Sequence, residues 1–167
     1  MHDEIREVLR KAYQIEVDGY VFYSMTAERA NKPEVRHLFE KLAHDEIQHK
    51  AYIQNVMGSY EDKGVAAFNV HRRDPDLAAF SDTIFSQGFK AKAREAEFEM
   101  GVLSVGMTLE TQAIQYFNGA AAHATDDEVR EFYQYLADWE KGHLEALQRL
   151  FNGVREDYWA EGGFSPF

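Results

Sequence analysis

The sequence predicts an all-α fold, a four-helix bundle made of two helical hairpins joined by a long crossover. Three observations predict it. Four long segments place apolar residues at the spacing of one helix face. Two of the breaks between them are a few residues long, whereas the middle one covers roughly 59–90, the length that a crossover between hairpins requires. The second half of the chain also repeats the first at a fixed offset of 94 residues.

The first helix is expected from Asp3, a plausible N-cap, to about Asn31, with Ile5, Val8, Leu9, Ala12, Gly19, Tyr20, Tyr23 and Ala27 in one stripe. Glu16 lies inside that stripe. Asn31-Lys32-Pro33 breaks the helix, and Pro33 suits the first turn of the second, which is expected to reach about Gly58. Its apolar face is Val35, Leu38, Phe39, Leu42, Ile53 and Val56, and Glu46 and His49 fall on the same line. Periodicity then fades through Gly64 and His71-Arg72-Arg73-Asp74-Pro75, with a short helix expected within 76–89 around Leu77, Phe80 and Ile84. The third long helix, roughly 91–123, aligns Leu103, Gly106, Glu110, Ile114, Phe117 and Ala121. Thr125, Asp126 and Asp127 offer caps for the fourth, which carries Val129, Phe132, Tyr133, Leu136, Leu147 and Leu150 and is expected to end near Asn152 and Gly153. A single bundle domain over 1–153 and an aromatic, glycine-rich tail over 154–167 follow, the tail's Trp159 and Phe167 being candidates to cover a neighbour in a homodimer.

Composition narrows the function. A formal net charge of −11 disfavours nucleic acid and anionic membranes as partners. No residue is cysteine, which excludes disulfides, iron–sulfur clusters, thiolate zinc sites and thiol catalysis. No basic stretch leads into an apolar run at the start, and no apolar segment approaches a membrane span, so a cytoplasmic protein is the expectation.

The chemistry concentrates at Asp45-Glu46-Ile47-Gln48-His49. On a helix Glu46 and His49 project from one face and can close on a single metal ion. The pair recurs 94 residues later as Glu140-Lys141-Gly142-His143, and the same offset carries Glu16 onto Glu110. Glu34-Val35-Arg36 likewise matches Glu128-Val129-Arg130, and Leu42-Ala43 matches Leu136-Ala137. A glutamate on an apolar helix face is costly to bury unless it is paired or binds a metal. Four of them beside two neutral imidazoles are balanced by two divalent cations, and this oxygen-plus-imidazole set suits iron or manganese. The expected arrangement has Glu16 and His49 near one ion, Glu110 and His143 near the other, and Glu46 and Glu140 free to bridge. Beyond the ligands, Asp45 is placed to accept the other ring proton of His143, while its repeat partner is Trp139. Tyr20 and Tyr23 follow Glu16 by one and two turns, where a phenol can hold a hydrogen bond or pass an electron. His2, His37, His44, His71 and His123 have no repeat partner and are read as surface or loop residues.

The set Glu16, Glu46-x-x-His49, Glu110, Glu140-x-x-His143 resembles the rubrerythrin branch of the ferritin-like di-iron carboxylate superfamily, over roughly residues 3–152. The resemblance implies a ferritin-like bundle with two iron ions, and ferrous iron reacting with hydrogen peroxide or dioxygen. Rubrerythrins typically append a rubredoxin domain with four cysteines; this chain has none, so its reducing equivalents are expected from a separate electron-donor protein. They also typically carry a further glutamate three residues after the third-helix ligand, and here that position is Ala113, leaving a symmetric six-ligand site. Two other readings stay open: an iron-handling or ferroxidase protein without a separate substrate, and a metal-free interaction module.

Overall fold

The computed structural model describes residues 2–68 and 96–161, and these form four long helices, α1 (His2–Arg29), α2 (Pro33–Lys63), α3 (Ala96–His123) and α4 (Asp127–Glu161). A short 3-10 helix, Gly64–Phe68, follows α2. α1 packs along α2 and α3 along α4, with thinner α1–α3 and α2–α4 seams, so the all-α four-helix bundle of paired hairpins is observed. No strand occurs among the described residues, and none of their helices is long and apolar enough to cross a membrane. The short helix expected within 76–89 lies outside the described residues, as do His71, Phe164 and Phe167.

Both hairpin turns are built by the same device. Arg36 turns its guanidinium back to the carbonyl of Ala30, at 2.9 and 3.3 Å, and Arg130 does the same to Ala124 at 3.0 Å. These are repeat partners, Ala30 with Ala124 and Arg36 with Arg130, so the duplication extends to how each loop is closed. The caps differ. Asp126 accepts the backbone N–H groups of Glu128 and Val129 at 3.0 and 3.2 Å, an N-cap of the usual kind. At the equivalent place Lys32 has no capping side chain; its backbone N–H instead donates to Glu99 of α3 at 3.1 Å, and its ammonium lies 3.5 Å from the same carboxylate. Lys32 and Glu99 are both buried, which pins the first turn to the start of the second hairpin.

The core falls into two apolar clusters stacked along the bundle. One is built around Leu9, Ile53, Val56, Phe117, Val129, Phe132 and Leu136. The other is built around Leu103, Leu147, Leu150, Tyr23, Val35, Leu38 and Leu42. Each residue named in the first has its partner in the second at the 94-residue offset, so an approximate twofold axis exchanges the two clusters. Gly106 of α3 faces α4, where a Cβ would already lie 3.2 Å from Leu147 Cδ1.

Two helix ends differ from expectation. α2 does not stop near Gly58 but continues to Lys63, because Tyr60 extends the buried stripe of Ile53 and Val56, and it ends at Gly64, whose φ of +58° favours glycine. α4 does not end near Gly153: Val154 is fully buried and Tyr158 packs against the second cluster, so the helix runs on to Glu161. Residues 154–161 of the expected tail are therefore helical, although Trp159 remains 44% exposed.

Removing the buried Glu99 carboxylate takes away both the acceptor of the Lys32 backbone N–H and a counter-charge of its ammonium, at a cost of about 3 kcal/mol. Glu99→Ala should lower the urea midpoint of unfolding accordingly, whereas Glu145→Ala, which removes an exposed pair with Arg149, should leave it within about 0.5 kcal/mol.

Candidate metal centre

Between the two apolar clusters the bundle axis is occupied by acid and imidazole. Glu16, Glu46, Glu110 and Glu140 are 0, 3, 3 and 1% exposed, and His143 is 3% exposed. His49 completes the group with a side chain 13% exposed. Each helix contributes at its midpoint: Glu16 from α1, Glu46 and His49 from α2, Glu110 from α3, Glu140 and His143 from α4. All six residues picked out by the repeat are thus brought together.

His49 Nδ1 lies 3.2 Å from Glu16 and 3.5 Å from Glu46. His143 Nδ1 lies 3.4 Å from each of Glu46, Glu110 and Glu140. Glu46 is therefore the carboxylate shared by both imidazoles. Two sets of donor atoms, Glu46 with His49 and His143, and Glu46 with Glu110, Glu140 and His143, each lie within 4.8 Å of one another and could hold a metal ion. Glu16 falls outside both sets and joins through His49. Glu16 Oε1, Glu46 Oε2, Glu140 Oε1 and His143 Nδ1 are buried without a hydrogen-bond partner. Orphaned donors and acceptors at this density are what a cation coordinated at the centre would satisfy, so the residues present fit a metal.

Protonation in the metal-free protein points the same way. Burial pushes the Glu16 carboxyl well above the ordinary glutamate range, and the neighbouring Glu46 adds to it. Burial does the same to Glu140, reinforced by Glu16 and Glu110. Burial alone would lower the basicity of His143, but Glu46 and Glu110 outweigh it and hold the imidazole well above its usual value. Glu110 is the exception: burial raises it, yet the charge of the adjacent His143, together with Glu140 and the Tyr23 phenol, brings it below the ordinary range. Protons thus take the place of cations in balancing the cluster.

The surroundings of the two halves are unequal. The buried phenol of Tyr23 donates to Glu110, as its position two turns after Glu16 allowed, whereas its repeat partner Phe117 has nothing to donate to Glu16. Tyr20 is half-buried beneath the ammonium of Lys50, 5.2 Å from the ring centroid. Trp139 stacks flat on His49, with ring centroids 4.0 Å apart and planes within 7°. Asp45, at the equivalent place in the first half, is half-buried and makes no side-chain hydrogen bond or ion pair with His143 among the described residues. His37, His44 and His123 are exposed, and His123 Nδ1 lies 2.8 Å from Gly119 O of its own helix. The residue that sequence reasoning missed is Gly19: a Cβ there would stand 2.8 Å from Glu46 Oε1, so glycine is what lets this carboxylate lie against the backbone of α1. Its position one turn after Glu16 was the available signal.

A four-helix bundle with a buried centre of glutamates and histidines is a candidate metal-binding protein of the carboxylate type. A family model of the rubrerythrins matches residues 7–151, nearly the whole bundle, and the chain belongs to the rubrerythrin family. Among curated proteins and among solved structures, nothing matches the chain.

Glu16, Glu140 and His143 all hold protons more tightly in the folded than in the unfolded chain. Their contribution to stability is complete below the unfolded values, 4.5 for glutamate and 6.5 for histidine, and is lost as pH rises through the higher folded values. Chelator-treated protein should therefore lose stability in urea as pH rises above the ordinary glutamate value, and further once it passes the ordinary histidine value. Glu16→Gln with Glu140→Gln should flatten that slope, and a saturating divalent ion should remove it.

Proposed function

We propose that this chain is a di-iron oxidoreductase that reacts with hydrogen peroxide or dioxygen. The observation that supports it most strongly is the closed set of four buried carboxylates and two imidazoles with unsatisfied atoms facing one centre. Glu16 and His49 would hold one iron, Glu110 and His143 the other, with Glu46 and Glu140 between them. When bound, the irons supply the electrons that reduce the oxidant.

The protein's own residues set the conditions for that chemistry. Glu46, within 3.5 Å of both imidazoles, is the carboxylate that both ions would share. Tyr23 keeps a proton on its phenol, which burial and Glu110 hold well above the usual tyrosine range, and so steers one oxygen of Glu110. The stack of Trp139 on His49 fixes the plane of that imidazole. The apolar clusters above and below close the centre to water along the bundle axis. None of these 167 residues is a cysteine that could hold an electron-transferring iron, so the proposed electron donor is a protein group outside them.

Protein loaded anaerobically with ferrous iron and mixed with one equivalent of peroxide should oxidise about two irons per chain in a fast phase. Slow or partial oxidation would contradict the proposal. Continued uptake of iron well beyond that ratio would favour the iron-handling reading over an oxidoreductase.

A further inference from the structure

Among the described residues, the centre is closed on three sides and open on the fourth. Above and below lie the two apolar clusters. On the side of α2 and α4, His49 lies flat on Trp139, and Tyr52 and Tyr135 pack edge-on against that indole at 5.2 and 4.9 Å. On the side of α1 and α3, a cavity of about 300 Å³ reaches Glu46, Glu110 and Glu140. Its walls carry Ile15 and Leu109, and its polar lining includes Lys11, Asp18 and Gln112.

The walls are related by the internal repeat. Ile15 pairs with Leu109, Asp18 with Gln112, Gly19 with Ala113, and Glu46 with Glu140, each 94 residues apart. The cavity therefore straddles the approximate twofold axis, directly over the shared carboxylates. Both halves place their smallest side chains, Gly19 and Ala113, one turn beyond the α1 and α3 ligands. Gly19 makes room for Glu46, and Ala113 is 4% exposed on the opposite wall, so any longer side chain at 113 must fill the cavity or displace its lining. The glutamates on its floor are more than nine-tenths buried, and Glu46 Oε2 and Glu140 Oε1 have no hydrogen-bond partner.

From this geometry we infer that the α1–α3 cavity is the entrance to the metal centre, and that Ala113 sets how readily small neutral or cationic species pass. The class follows from the lining. A passage ending on the carboxyl groups of Glu46, Glu110 and Glu140 attracts divalent cations, is indifferent to peroxide and dioxygen, and repels anions. The inference rests on the metal-centre reading above, but concerns the route and not the chemistry at its end.

The test is the rate at which metal-free, full-length protein takes up Co²⁺ in stopped flow, together with the Co²⁺ bound at equilibrium. Ala113→Leu should slow uptake at least about tenfold while leaving equilibrium occupancy unchanged. Ile15→Ala in the Ala113→Leu background should restore much of the rate by clearing the facing wall. Gly119→Leu, on open surface of the same helix with nothing within 4 Å, should leave the rate at its original value. Should Ala113→Leu not fold, Ala113→Val carries the same comparison with a smaller slowing. Full occupancy reached at the original rate in the Ala113 variants would overturn the inference and leave the metal centre standing. Failure of the unaltered protein to bind Co²⁺ would overturn the metal-centre reading itself, and the entrance with it.

Discussion

Four carboxylates held within reach of one another at the middle of a hydrophobic bundle are the constraint on which the rest of this structure depends. Uncompensated, each would cost several kcal/mol to desolvate, and their mutual repulsion would add to it. The fold answers with two imidazoles, a tyrosine hydroxyl and protons in the metal-free state. Each compensation leaves oxygen atoms unsatisfied, which is why the cluster reads as a place for cations and not as a structural ion-pair network. The apolar clusters on either side supply the folding energy that this polar middle does not.

Twofold repetition explains how one chain assembles such a centre. Each hairpin brings one glutamate from its first helix and a Glu-x-x-His pair from its second, and the same arginine-to-carbonyl clamp closes each turn. The symmetry is broken where chemistry would profit from difference. Tyr23 faces Glu110 while Phe117 offers Glu16 nothing, and Trp139 covers His49 while its partner Asp45 does not engage His143. Glu16 is pushed towards the protonated form and Glu110 away from it, so the two halves are electrostatically distinct before any ion binds.

Much of this was legible in the sequence because it rests on spacing. The helical stripes, the short breaks at Asn31 and Thr125 and the offset of 94 residues place all six centre residues without reference to coordinates. What spacing could not reveal depends on tertiary contact. Gly58 and Gly153 read as helix ends, yet Tyr60, Val154 and Tyr158 find apolar partners and carry α2 and α4 past them. The Lys32–Glu99 pair joins residues far apart in the chain that have no periodic relation. Asp45 was assigned to His143 by position along its helix, but a side chain's direction on a neighbouring helix is not set by spacing alone. Gly19 looked like a small member of an apolar stripe until its distance to Glu46 showed why nothing larger fits.

We propose that the buried acids and imidazoles are a dinuclear metal site. Anomalous diffraction from a crystal of iron-loaded protein, collected on both sides of the iron absorption edge, tests it most directly. Two peaks are expected inside the bundle, one beside Glu16 and His49 and one beside Glu110 and His143, with Glu46 between them. Iron only at the protein surface, or a centre that stays without anomalous signal at saturating iron, would contradict it.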